Sequence, residues 1–203
     1  MKERYQVTIA KVVSLVCEPY YLPLVVYLVL LTFSYLKLLP LDYKLMLMGW
    51  ILLFTVAIPV TLLWIYRTLP WRKTCGVGEI KLVGYVVFML SYTACLFLMR
   101  HNMMPQILQR VMFASLIIQL ACFAFNFFLR ISAHSAAAGG LVGALIAFSI
   151  IFGFDPTRYL CILIVFAGLV GTSRLVLRRH TLVEVNLGLA VGFVCSLWAI
   201  LVW

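Results

Sequence analysis

"SAHSAAAGGLVGALIAFSIIFGFDPTRYLCILIVFAGLVGTSRLVLRRHTLVE", residues 132–184, holds two long apolar runs set between three short polar junctions. Each run is close to the roughly 20 residues that a helix needs to cross a bilayer. Inside a bilayer the backbone groups of a segment must bond one another, so the runs predict membrane-spanning helices over 133–153 and 157–173. The same pattern recurs along the chain and predicts further spans over 20–38, 45–66, 82–99, 107–129 and 182–203, the first weakened by Pro19 and Pro23. The expected fold class is all-α: a polytopic transmembrane helix bundle of six to seven spans, with 1–203 as a single integral-membrane domain.

Composition agrees. Of 203 residues, 66% are hydrophobic, where soluble domains hold roughly 45–50%, and the mean hydropathy is +1.13. A soluble domain on one anchor is excluded, because apolar runs fill the whole length. The start, "MKERYQVTIAKVVSLVCEPYY", has charges on both sides of a short apolar stretch and reads as retained sequence rather than a signal peptide. Ile9, Ala10, Val13 and Val16 set against Lys2, Arg4 and Lys11 predict a short interfacial helix within 1–18.

The six cysteines (Cys17, Cys75, Cys95, Cys122, Cys161, Cys195) form no CxxC and no metal-like spacing. They are expected to pack as small apolar residues, with no zinc site and no disulfide framework. Sixteen Lys and Arg against six Asp and Glu give a net charge of +10. In a membrane protein this excess is expected to meet lipid headgroups or an anionic substrate, not nucleic acid.

Counting spans places the connectors 67–81, 129–134 and 173–181 on one face. Arg130, Ser132 and His134 thus share a side with Ser173, Arg174, Arg178, Arg179, His180 and Glu184. Charges near membrane depth cost roughly 2.5–3.5 kcal/mol each, so they are functional suspects by default. His180 and Glu184 are four apart, on one helical face, where the carboxylate can hold one ring nitrogen and leave the other nucleophilic. Ser132 precedes a helix opening with small residues, so its first N–H groups offer an anion site that a phosphate can approach closely. Deeper in that helix, Ala136, Gly140 and Ala144 fit a small-residue packing face. Arginines supply multidentate, charge-assisted bonds to phosphate oxygens. Together these groups suit phosphoryl transfer, which needs an electrostatic cradle, a nucleophile and an acid for the leaving oxygen.

These residues resemble the type 2 phosphatidic acid phosphatase superfamily, relatives of the vanadium haloperoxidases. Its second motif, P-S-G-H, is matched by Ile131, Ser132, Ala133 and His134, two of the four identical. Its third, S-R-x5-H-x3-D, is matched at full spacing by Ser173, Arg174, His180 and Glu184, with Glu in place of Asp. The resemblance covers residues 125–203, the motif-bearing half. It implies that His180 attacks phosphorus and forms a phosphohistidine, that Glu184 orients it, and that His134 protonates the leaving oxygen. It further implies that Ser132, Ser173, Arg174 and the N–H groups near Ala133 hold the phosphoryl oxygens, with no metal and no cofactor.

The family's first motif, K-x6-R-P, is absent. Arg130 is the first candidate to replace one of its cations, with Arg72, Lys73 and Lys81 as weaker ones. The implied substrate is a phosphorylated lipid of the phosphatidic acid, phosphatidylglycerophosphate, polyprenyl diphosphate, sphingoid phosphate or lipid A class. The implied place is a bacterial inner (plasma) membrane with the site on the extracytoplasmic face, although the raw Lys and Arg count leans towards the cytoplasm. Two other functions remain open at this point: a lipid phosphotransferase, and a non-catalytic protein that binds lipid headgroups. The first half carries no legible chemistry; His101 reads as interfacial, and Asp155 with Pro156 as the N-cap and first residue of the following helix.

Overall fold

The computed structural model describes residues 8, 10–14, 18, 21–33, 38–68, 77–126 and 128–203. It is 86% helical, with no strand among the described residues. From Leu22 on, the described residues form eight α-helices: α1 Leu22–Phe33, α2 Leu41–Leu52, α3 Ile58–Thr68, α4 Val77–His101, α5 Gln106–Phe125, α6 Ala133–Phe152, α7 Thr157–Val176 and α8 Leu182–Val202. Among the described residues, six stretches are long and apolar enough to span a membrane: Leu41–Tyr66, Leu82–His101, Gln106–Phe125, Ala133–Phe152, Thr157–Val176 and Leu182–Val202. The chain is therefore a multi-pass membrane protein.

Of the predicted 20–38 span, residues 20 and 34–37 lie outside the described residues. Its described helix, α1, has 12 residues, about 18 Å of length. Pro23 is accommodated in the first turn, where an N–H has no helical acceptor. The fully buried Tyr27 fixes α1 to the bundle, its hydroxyl donating to the Leu108 carbonyl at 2.7 Å.

The Leu41–Tyr66 span contains a π-helical turn, Leu53–Ala57, between α2 and α3. Pro59 explains it: a proline has no N–H to continue the ladder, and the wider turn makes room for its ring. Ile58 N–H bonds the Leu53 carbonyl in the i+5 register. In that register the Phe54 carbonyl would need an N–H from Pro59, and the buried Ser91 hydroxyl of α4 supplies the donor instead.

Helix ends are set by local chemistry. Asn126 closes α5, its side-chain amide donating to the Cys122 carbonyl at 2.7 Å, so the predicted extension to 129 is cut short. Gly153, with φ of 64°, closes α6 in the left-handed region that glycine adopts at little cost. Asp155 caps α7 one residue further out than expected: Pro156 is the N-cap, and the Asp155 carboxylate accepts from Thr157 N–H at 3.0 Å.

α6 is the centre of the bundle, with 56% of its span buried against 22–39% for the other five. Its most extensive contact is with α8. The contact is close because glycines face carbonyls: a Cβ on Gly139 would overlap the Leu189 carbonyl, and one on Gly192 the Ala136 carbonyl. The predicted Ala136, Gly140, Ala144 face is thus divided. Ala136 meets α8, while Gly140 faces the Ile118 side chain of α5.

Candidate active site

The last turn of α7, the first turn of α8 and the start of α6 meet at one end of the bundle. α7 runs three residues past its predicted end and stops in a turn where Arg179 N–H reaches the Arg174 carbonyl at 3.2 Å and Arg178 N–H the Leu175 carbonyl at 2.9 Å. This is a Schellman closure, normally made by glycine, yet the left-handed residue is Arg178, with φ of 50°. The turn delivers His180 to the N-terminus of α8.

His180 Nδ1 lies 2.8 Å from Glu184 Oε2. A carboxylate only accepts, so the Nδ1 proton sits between them and Nε2 keeps its lone pair. The same Oε2 accepts from Thr181 N–H at 3.2 Å, and Thr181 Oγ1 accepts from Glu184 N–H at 3.4 Å, a complete capping box. Glu184 therefore orients the ring while its own position is fixed by the helix start. Arg130, exposed at the end of the α5–α6 connection, acts electrostatically on Glu184.

Ser132 is the N-cap of α6 and fully buried. Its Oγ accepts from Ser135 N–H at 3.3 Å and from the Ser135 hydroxyl at 3.0 Å. Both lone pairs are thus used, and its own proton is what it can donate. Ala133 and His134 open the helix, where N–H groups have no acceptor in the preceding turn. Ser132 N–H donates to the Glu184 carbonyl at 3.5 Å, tying the start of α6 to the first turn of α8.

Arg174 is 4% exposed. One of its terminal nitrogens bonds His134 Nδ1. Guanidinium only donates, so Nδ1 is the acceptor and the His134 proton lies on Nε2; the Ser14 backbone lies beside the ring. Arg179 and His180 lie within electrostatic reach of His134. Ser173 does not join it: its hydroxyl donates to the Val170 carbonyl of its own helix at 2.7 Å. Among the cations proposed to replace the first motif, Arg72 and Lys73 lie outside the described residues, as does the side chain of Lys81.

Three residues were not anticipated. Ser14 Oγ accepts from Arg174 Nη1 at 2.9 Å, across 160 positions, and no sequence signal marks that pairing. Glu18 is half-buried within electrostatic reach of Arg174; burial holds its carboxyl above the usual range, against the pull of the guanidinium. Thr181 was also missed, although its T-x-x-E spacing to Glu184 is a legible capping signature. Among the described residues no group of three or more His, Cys, Asp or Glu stands close enough to hold a metal ion. A hollow of about 590 Å³ at the other end of the bundle, lined by Arg100, Gln106, Gln109, Arg110 and Trp203 among others, contains no motif residue.

No protein-family model, characterised protein or solved structure matches the chain.

Proposed function

We propose that this protein is a membrane lipid-phosphate phosphatase that works through a phosphohistidine and needs no metal or cofactor. The observation that carries the reading is the His180–Glu184 pair, held at the same end of the bundle as Arg174 and His134. A ring with Nδ1–H on a carboxylate presents Nε2 as a nucleophile. A buried arginine and the opening of a 20-residue helix supply donors for phosphoryl oxygens.

In the proposed reaction the His180 Nε2 lone pair forms a bond to phosphorus, and the bond from phosphorus to the lipid oxygen breaks. Glu184 stabilises the positive charge that develops on the ring. His134, once protonated, gives its proton to the departing oxygen. Water then attacks the phosphohistidine, His134 takes up the proton of that water, and phosphate leaves with His180 restored. His134 must therefore exchange its bond with Arg174 for a proton when substrate arrives, since an Nδ1 that accepts from guanidinium carries none.

The substrate class is a phosphorylated lipid: the site lies at a bundle end, and the helices around it offer apolar surface to a tail, as in exposed Ile162, Val165 and Leu169 of α7. The proposed setting is a bacterial inner membrane with the site on the extracytoplasmic face. A single cysteine replacing the exposed Phe128, in a background without reactive native thiols, tests the face by its labelling with an impermeant reagent in intact cells.

The deciding experiment measures phosphate release by purified protein, with chelator, from phosphatidic acid, phosphatidylglycerophosphate, polyprenyl diphosphate and lipid A. Release that His180→Ala abolishes, together with an acid-labile phosphoprotein in the parent, is expected. Undiminished release by His180→Ala would falsify the nucleophile assignment.

A further inference from the structure

The anion-binding end is covered by part of the N-terminal segment. Residues 10–14 are helical. Ser14 Oγ takes an N–H of Arg174 at 2.9 Å, and the Ser14 backbone lies beside the His134 ring. Val13 packs on an apolar cluster of Ala138 from α6 with Ala167 and Val170 from α7, and Ala10 is buried as well. Lys11 and Val12 face outward. The segment thus lies along the α6–α7 seam with its last turn on the two side chains that would handle a phosphoryl group.

We propose that residues 10–14 are a displaceable strap over the phosphate site, in which Ser14 holds the edge of Arg174 that a phosphoryl oxygen of a lipid headgroup takes on binding. The proposal rests on the phosphatase reading for its ligand.

The chemistry favours exchange. A guanidinium only donates, so Ser14 Oγ and a phosphoryl oxygen compete for the same N–H. The serine contact has a neutral acceptor, whereas the phosphate contact is charged on both sides and can be bidentate, which makes it the stronger of the two. His134 lies in the same closed arrangement, its Nδ1 bonded to Arg174. Lifting the strap frees this edge of Arg174. The outward face suits the lifted state, because Lys11 and Val12 fit the headgroup layer as an interfacial helix does, with the basic side chain drawn to anionic lipid.

The test uses the full chain in phosphatidylcholine nanodiscs, with inorganic phosphate and phosphatidic acid as separate probes. Affinities are compared for the parent, Ser14→Ala and Arg174→Ala, and backbone hydrogen exchange over residues 10–14 is followed with and without phosphatidic acid. Ser14→Ala is expected to bind roughly 2- to 10-fold more tightly, the worth of one competing hydrogen bond, and protection of residues 10–14 is expected to fall when phosphatidic acid binds. Tightening with both probes means that the strap competes with the phosphate itself; tightening with phosphatidic acid alone means that it also closes the seam to the tail.

Weaker binding by Ser14→Ala overturns the proposal, because Ser14 would then be a ligand of the phosphate. So does unchanged affinity, or protection of residues 10–14 that phosphatidic acid leaves unchanged. If binding is present and lost in Arg174→Ala while Ser14→Ala has no effect, the strap fails and the phosphate site stands. If folded parent and Ser14→Ala both fail to bind either probe, the phosphate site fails and the strap with it.

Discussion

Ser132 N–H donates to the carbonyl oxygen of Glu184 at 3.5 Å, so the residue that caps α6 is bonded to the residue that orients His180. Gly188, one turn further along α8, makes the approach possible: a Cβ there would stand 2.8 Å from the Ser132 carbonyl oxygen and 3.2 Å from both Ile131 Cγ2 and Ser135 Cβ. Backbone cannot yield as a flexible side chain does. Gly188→Ala is therefore expected to push the two motifs apart, lowering stability in detergent by about 1–3 kcal/mol, the usual cost of overpacking, and reducing phosphate release. Melting the variant beside the parent checks the first part; a melt that matches the parent means the two helix starts can slide.

Glu184 reaches His180 and Thr181 N–H with a single oxygen, at 2.8 and 3.2 Å. Aspartate is shorter by one methylene, about 1.5 Å of reach, and cannot serve both partners from the same backbone. Glu184→Asp is expected to slow turnover at least about tenfold, and Glu184→Gln, which cannot stabilise an imidazolium, by about 10²–10⁴-fold, the range of acid–base contributions. Initial rates of phosphate release measure both. A faster Glu184→Asp enzyme would show that the longer carboxylate is a handicap.

Arg178 adopts φ of 50° in the turn that delivers His180. A side chain costs roughly 1–2 kcal/mol in that region, and glycine escapes most of this at its own entropic expense. Arg178→Gly is expected to raise stability by about 1 kcal/mol and leave turnover unchanged, because the Arg178 side chain is exposed and enters none of the bonds of the site. Thermal unfolding and initial rates decide it. A less stable variant would mean that the guanidinium contributes a bond worth more than the strain.

Ser91 serves the Phe54 carbonyl that Pro59 leaves without a donor. Ser91→Ala is expected to cost about 1–3 kcal/mol, the price of an unsatisfied buried acceptor. In a Pro59→Ala background the penalty shrinks, since residue 59 then has an N–H to offer. The double-mutant cycle measures the coupling, and additive effects would show that the π turn does not depend on the proline.

How much of this could be read along the chain depends on how far apart the partners lie. Six spans were legible because length and hydropathy are properties of one segment, and the bilayer requires each segment to satisfy its own backbone. The His180–Glu184 pair and the Ser132 cap were legible for the same reason: four and three positions of one helix fix their geometry. The register of α6 on α8 was not, because which small residues face a neighbouring carbonyl depends on the rotation of both helices; Gly139 and Gly192 took the closest approach rather than Gly140 and Ala144. Nor was the arrangement around Arg174. Its bond to Ser14 spans 160 positions and its bond to His134 spans 40, and no local pattern records which distant side chain will meet a buried guanidinium once the helices have packed.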